Sequence, residues 1–148
     1  MSAALQYPIQ PVVSKELSLN GVCRYHIDGF TLVMDVEEIA NNRNAGNTSG
    51  TLALEMWALA EPYQGGAFSG HQVAGCVIGE VKGQHRVRHF HHTQNLQTPG
   101  EGSWYLVMML REWDCGTYVT RDWITFPETV KAHYRLTLSI DGMPAIVR

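Results

Sequence analysis

Ile27-Asp28-Gly29-Phe30 separates two runs whose apolar residues alternate with opposite parity, and no other feature restricts the fold of this chain so tightly. Upstream, Leu17, Leu19, Cys23, Tyr25 and Ile27 fall on odd numbers; downstream, Phe30, Leu32, Met34 and Val36 fall on even ones. Alternate residues of a strand share a face, so a two-residue loop brings an odd and an even series onto the same side of a ribbon. Asp-Gly tolerates the two positive φ angles of a type I′ turn. The sequence therefore predicts a hairpin in which Ile27 faces Phe30, Tyr25 faces Leu32 and Cys23 faces Met34, with all six on the core face.

The rest of the chain continues in the same grammar. Turn clusters recur at short intervals and no stretch carries a convincing helical period, so helix is expected to be scarce. The Asn/Gly-rich segment Asn41 to Gly50 reads as a loop between a strand ending near Ala40 and one running from Thr51 to Leu59. In that second strand Leu52, Leu54 and Met56 alternate with Thr51, Ala53 and Glu55, and Trp57 joins the polar side. Pro62 to Gly70 is a longer loop, followed by a strand across His71 to Val81. Lys82-Gly83 turns the chain into Gln84 to His92, polar on both faces and suited to a sheet edge. Ser103 to Trp113 is apolar on both faces, which requires cover on both sides or a central place in its sheet. Asp114-Cys115-Gly116 turns it into Thr117 to Phe126. Beyond Pro127, Tyr134, Leu136, Leu138 and Ile140 alternate with polar residues, and a second Asp-Gly pair, Asp141-Gly142, returns the chain through Ala145 and Val147.

Nine or ten strands joined by short turns most naturally build two antiparallel sheets packed face to face, a β-sandwich. A closed barrel also removes edges, but the charged Gln84 to His92 strand looks like an edge protected by charge. The 148 residues make one domain with a real core, 17–148, preceded by an N-terminal arm, 1–16. A formal charge of −3, with no basic stretch beyond Arg86-Val87-Arg88, argues against nucleic acid as a partner. No apolar run approaches the roughly 20 residues that cross a bilayer, and Met1 to Gln10 lacks the pattern of a signal peptide. The expectation is a cytoplasmic chain, one exported without such a signal, or one trimmed before numbering.

The segments Asn41-Asn42-Arg43, Thr48 to Leu59, Pro62-Tyr63, Gly65-Gly66, Gly102 to Tyr105, Leu110 to Trp113 and Tyr118 to Trp123 together resemble an immunoglobulin-like module of bacterial surface and secreted proteins, close to the CARDB-like domains. The resemblance spans roughly Phe30 to Phe126. It implies an immunoglobulin-like core over about 30–126 with N- and C-terminal hairpins added to it, the latter over 133–147, and a non-catalytic binding role. An antibody-type domain is disfavoured, because no tryptophan follows Cys23 at the distance that packs on a Cys23–Cys76 bridge.

No Gly-x-Ser-x-Gly elbow, phosphate-cradling glycine loop, His-Glu-x-x-His or paired-cysteine metal signature is present, so an enzyme is not expected. Regular strand geometry would put His85, His89 and His91 on one face of their strand, and Arg86, Arg88 and His92 on the other. His89 and His91 then could reach one zinc or nickel ion if a neighbouring strand supplied a third ligand; otherwise the segment is a solvated polar edge or a pH-responsive surface. No other cofactor is implied.

Trp57, Trp113 and Trp123 all lie opposite the regular apolar series of their strands. Flat rings so placed either stack on sugars or dock a protein, with Tyr63 at the rim, or are buried under a loop. Two function classes follow. One is a binding module for a protein or a glycan; the other is a structural subunit that forms homo-oligomers through edge strands and terminal arms.

Cys23, Cys76 and Cys115 are an odd number without metal-type spacing, so no disulfide framework is expected. Cys23 and Cys76 sit in apolar strands, whereas Cys115 sits in a turn. Brief alkylation of the folded chain followed by mass spectrometry should label Cys115 first; preferential labelling of Cys23 would show the strand faces to be misassigned.

Overall fold

The computed structural model describes residues 15–136 and 144–147, with the backbone alone described from 134 onward. All of its regular structure is strand: β1 Leu17–Asp28, β2 Thr31–Asn41, β3 Leu52–Leu59, β4 His71–Gly79, β5 Arg86–Asn95, β6 Gly102–Asp114, β7 Thr117–Thr125, β8 Val130–Leu136 and β9 Pro144–Val147. One sheet has the order β1-β2-β5. The other has the order β4-β3-β6-β8-β9, with β7 also paired to β6. Every pairing is antiparallel. The architecture is the expected all-β two-sheet sandwich, consistent with an immunoglobulin-like fold, and β5 is a sheet edge as its charge suggested. Most of the N-terminal arm and the Asp141-Gly142 turn lie outside the described residues.

The first hairpin forms, but its register differs by two residues from the alternation argument. Ile27 pairs with Leu32, Tyr25 with Met34 and Cys23 with Val36, where Phe30, Leu32 and Met34 were expected. The loop is Gly29-Phe30, with Gly29 at φ +62°, suiting a turn that needs a positive φ only at its first central residue. Phe30 is thereby moved from the ladder to the turn, where it is exposed. A shift of two leaves every side chain on its original face, so hydrophobic alternation cannot distinguish the two registers. Apart from Phe30, the faces are as expected: Leu32, Met34 and Val36 are buried, with Cys23, Tyr25 and Ile27 packed against them. Contacts from elsewhere suit the observed register, because Leu96 N–H donates to the Phe30 carbonyl (2.7 Å) and the Tyr25 ring meets Phe126 edge-on.

The main core lies between the sheets. Leu52, Leu54, Met56 and Ala58 of β3 and Leu106, Met108 and Leu110 of β6 face Leu32, Met34, Val36 and Ile39 of β2. A smaller cluster, Leu59, Tyr63, Val107 and Met109, occupies the outer face of the larger sheet beneath the loop that follows β3. β6 is thus covered on both faces, which is what its unbroken apolar sequence requires.

Carboxylates and amides close the rims. Asp122 faces inward from β7 beside a register shift, and its carboxylate accepts the Leu19 N–H of β1 (2.8 Å) and the Lys15 ammonium. At the opposite edge Gln94 of β5 accepts the Gly75 N–H of β4 (3.0 Å), and Gln97 N–H donates to the Val73 carbonyl (2.8 Å). At one end of the core Glu112, only 4 % exposed, accepts both terminal nitrogens of Arg43 (2.7 and 2.8 Å), Arg121 Nε (2.8 Å) and the Gly50 N–H (2.8 Å). Bidentate guanidinium pairing and a backbone donor satisfy a carboxylate that burial alone would penalise.

The Arg43 hydrogen bonds hold the Glu112 carboxyl at about 2, well below its ordinary 4.5. A depressed folded-state value means stability that is fully present above the unfolded pKa and is lost as pH falls from about 4.5 towards 2. The amount is on the order of 3 kcal/mol. Urea titrations between neutral and strongly acid pH should show this slope, and Glu112→Gln should be less stable at neutral pH with a much flatter acid limb. An unchanged acid limb in that variant would mean that other carboxylates govern acid unfolding.

Candidate functional site

The outer face of the larger sheet presents Ala53, Glu55, Trp57 and Leu59 from β3 beside Val107, Met109, Arg111 and Trp113 from β6, and Trp123 from β7. The face is apolar enough to need a cover, and the connection from Leu59 to Gly70 supplies it. Gly65 and Gly66, at φ +100° and +79°, let the backbone fold back over the sheet. Gly65 lies so close that an added Cβ would meet the far edge of the Trp123 ring at 3.2 Å.

Four rings run edge-to-face across this surface. Trp57 meets Phe68 (4.8 Å between centroids), Phe68 meets Tyr63 (5.4 Å) and Tyr63 meets Trp123 (4.8 Å). Edge-to-face contacts of this kind add about 0.5–1.5 kcal/mol beyond burial. The loop rings therefore bridge β3 to β7 over β6. Tyr63 is 8 % exposed and its hydroxyl donates to the Gly66 carbonyl (2.5 Å), so it pins the loop, and it also borders the open groove beside the loop. Trp57 and Trp123 are half-buried, while Trp113 is 47 % exposed and packs edge-on against Tyr118 (5.1 Å). The three tryptophans share a face, as alternation implied, but two belong to the loop-covered cluster and one stands beyond it.

Beside the loop, Trp57, Phe68, Ser69, Arg111, Tyr118 and Thr120 line an open groove of about 600 Å³. Its charged residue is Arg111, whose Nη1 donates to Glu55 (3.1 Å) and whose Nη2 donates to the Tyr118 carbonyl (3.0 Å). Trp57 Nε1 donates to the same Glu55 oxygen (2.8 Å). The guanidinium carbon lies 5.9 Å from the Trp57 ring and 5.2 Å from the Phe68 ring, within cation–π range. Arg111 Nε is buried with no hydrogen-bond partner among the described residues. Phe68, Arg111, Tyr118 and Thr120 were not singled out in the sequence. The alternation of Arg111 with Trp113 and of Tyr118 with Thr120 was legible, but Phe68 lies in a loop, and the distance along the chain between β3, the loop and β7 hid their meeting.

The histidine strand departs from regular geometry. His89 adopts φ +56° and no ladder pair joins it to Glu37. The pleat reverses there, so Val87 and Phe90 both pack on the core while Arg86, Arg88, His89 and His91 are exposed. The expected grouping of His92 with Arg86 and Arg88 on one face, opposite His89 and His91, is therefore corrected. His92 is part-buried and its Nε2 bonds Gln94 (2.8 Å). His91 Nδ1 lies 2.6 Å from Asp35, and its Nε2 is 3.2 Å from Thr93 Oγ1. His91 and, less strongly, Arg24 hold the Asp35 carboxyl below its usual range. The Asp35–His91–Thr93 chain has the connectivity of a hydrolytic triad, but it lies on an open sheet face whose amides point within the plane of the sheet and not at an oxyanion. Among the described residues no three His, Cys, Asp or Glu side chains stand together as metal ligands.

The cysteines sit where the strand pattern put them. Cys23 and Cys76 are part-buried on different sheets, and burial raises both thiols, Cys76 to about 11. Cys115 is exposed in the two-residue turn Cys115-Gly116, at φ +51° and +92°, and Asp114 raises its thiol. Among the described residues no helix is long and apolar enough to cross a membrane.

If the loop-covered rings are core and Trp113 is not, alanine substitutions will separate them. Trp123→Ala and Trp57→Ala should each cost about 2–3 kcal/mol in urea unfolding, less than a fully buried tryptophan, and Trp113→Ala less than about 1 kcal/mol. Equal small losses at all three positions would mean that the loop does not pack on the sheet in solution. Neither a family model, nor a curated protein, nor a solved structure matches this chain.

Proposed function

We propose that this chain is a non-catalytic binding module, of the immunoglobulin-like and CARDB-like kind that its sequence resembles, which takes its ligand in the groove between the Pro62–Gly70 loop and the start of β7. The observation that carries this reading is the groove itself. Trp57, Phe68 and Tyr118, from three separate chain segments, line it; the Trp57 and Phe68 rings lie over one guanidinium, which Tyr118 meets through its backbone carbonyl. A concave site with aromatic walls and few polar groups is the usual form of a small-ligand or side-chain pocket. The exposed Trp113–Tyr118 pair extends the aromatic surface beyond the groove, so a protein or glycan chain longer than the groove would find a second stacking position.

A second reading is assembly of copies of this chain through strand edges. It draws support from β8, which meets β6 only over Val130–Ala132 and otherwise pairs with β9, leaving a ribbon whose outer edge could accept another strand. Sedimentation of the purified chain distinguishes the two, since a monomer at high concentration removes this reading.

For the binding reading, the labelled chain would be applied to arrays of glycans and of peptides alongside Tyr118→Ala. That substitution removes a part-exposed ring from the groove wall and keeps the backbone carbonyl that Arg111 uses. Binders should be retained by the native chain and lost, by about tenfold or more, in a variant with an unchanged melting temperature. Binders equally retained by both chains would place recognition elsewhere on the fold.

A further inference from the structure

We infer that the groove ligand is a neutral saccharide, an inference that rests on the binding-module reading above. Three properties of the groove point there. First, its guanidinium is already balanced. Arg111 shares a hydrogen bond of 3.1 Å with the buried Glu55 carboxylate, so an incoming carboxylate, sulfate or phosphate would meet Glu55 across the same cation. A hydroxyl or ring oxygen carries no charge to be repelled. The donor without a protein partner, Arg111 Nε, lies buried beside the Phe68 ring in the glycine-bearing loop.

Second, the walls combine flat rings with hydroxyls. Trp57, Phe68 and Tyr118 supply rings, and Ser69 and Tyr118 supply hydroxyl groups, while the Thr120 hydroxyl, whose proton goes to Met109 Sδ (3.6 Å), is left as an acceptor. A pyranose offers the complement, C–H faces for the rings and alternating donors and acceptors at its margin. Third, the groove floor offers no backbone ladder. Trp57 and Arg111 stand on β3 and β6, each paired to neighbours on both sides, so an extended peptide cannot add a strand on the groove floor and would have only the β7 edge to pair with.

The test is a titration of the full chain, followed by tryptophan fluorescence and calorimetry, with neutral oligomers of glucose, mannose and N-acetylglucosamine, and with oligogalacturonate as the charged counterpart. At least one neutral oligomer should bind with a dissociation constant in the millimolar range or tighter, and more tightly than oligogalacturonate. Tyr118→Ala and Thr120→Val, both checked for an unchanged melting temperature, should weaken it about tenfold or more. Tighter binding of oligogalacturonate overturns the neutral assignment. Binding of a peptide that Tyr118→Ala abolishes, with no oligosaccharide bound, overturns the saccharide while leaving the binding module standing. Silence of every oligosaccharide and of the peptide arrays overturns both.

Discussion

Glu112 is the point on which the arrangement of this sandwich turns. It stands at the end of β6, on the same face as Leu106, Met108 and Leu110, where the inter-sheet core meets the connection that carries the chain from one sheet to the other. Arg43 and Gly50 belong to that connection, and Arg121 belongs to β7. One buried carboxylate thus fixes the crossover loop and the last strand of the outer face to the same strand. Removing it would leave Arg43, itself largely buried, with only the exposed Glu16 carboxylate at its Nε (2.7 Å) and both terminal nitrogens without their anion, which is costlier than losing a surface ion pair. Asn41 adds to the same end by donating to the Val81 carbonyl (2.7 Å), tying the loop to the approach to β5.

With that end held, β6 can serve two cores at once. Its even-numbered residues fill the space between the sheets, and Val107 and Met109 fill the layer under the loop. The outer layer is thin, only one loop deep, and its cohesion comes from ring contacts more than from aliphatic packing. Such a layer leaves margins. The groove beside Phe68 is one, opening where the loop turns back before it reaches Tyr118.

The two outer faces of the sandwich have different chemistry. The face of the smaller sheet carries Arg24, Asp35, His89 and His91 in solvent, with the ladder interrupted at His89 and a bulge at Gly21, where Glu37 accepts the Val22 N–H (3.0 Å). Irregular, charged strands of this kind resist pairing with other chains. The face of the larger sheet is apolar, loop-covered and grooved.

Alternation along the chain was enough to decide that strands form, roughly where they lie, which side chains of the regular strands β1, β2, β3 and β6 face the core, and that β6 is covered on both sides. These properties depend on a period of two residues, which is written locally. Register, pleat reversal and cover are not local. The β1–β2 register moved by two because that slip preserves every face; only the turn at Gly29 and contacts to Leu96 and Phe126 distinguish the alternatives. The faces of β5 changed at His89 because a positive φ resets the alternation, and nothing in a histidine-rich run announces it. Tyr63 became a buried pin, and Phe68, Arg111 and Tyr118 became groove walls, because a loop folded across a sheet brings together residues far apart in sequence. The tertiary structure decided those meetings, since the energy that selects them comes from contacts between segments and not from the pattern within any one of them.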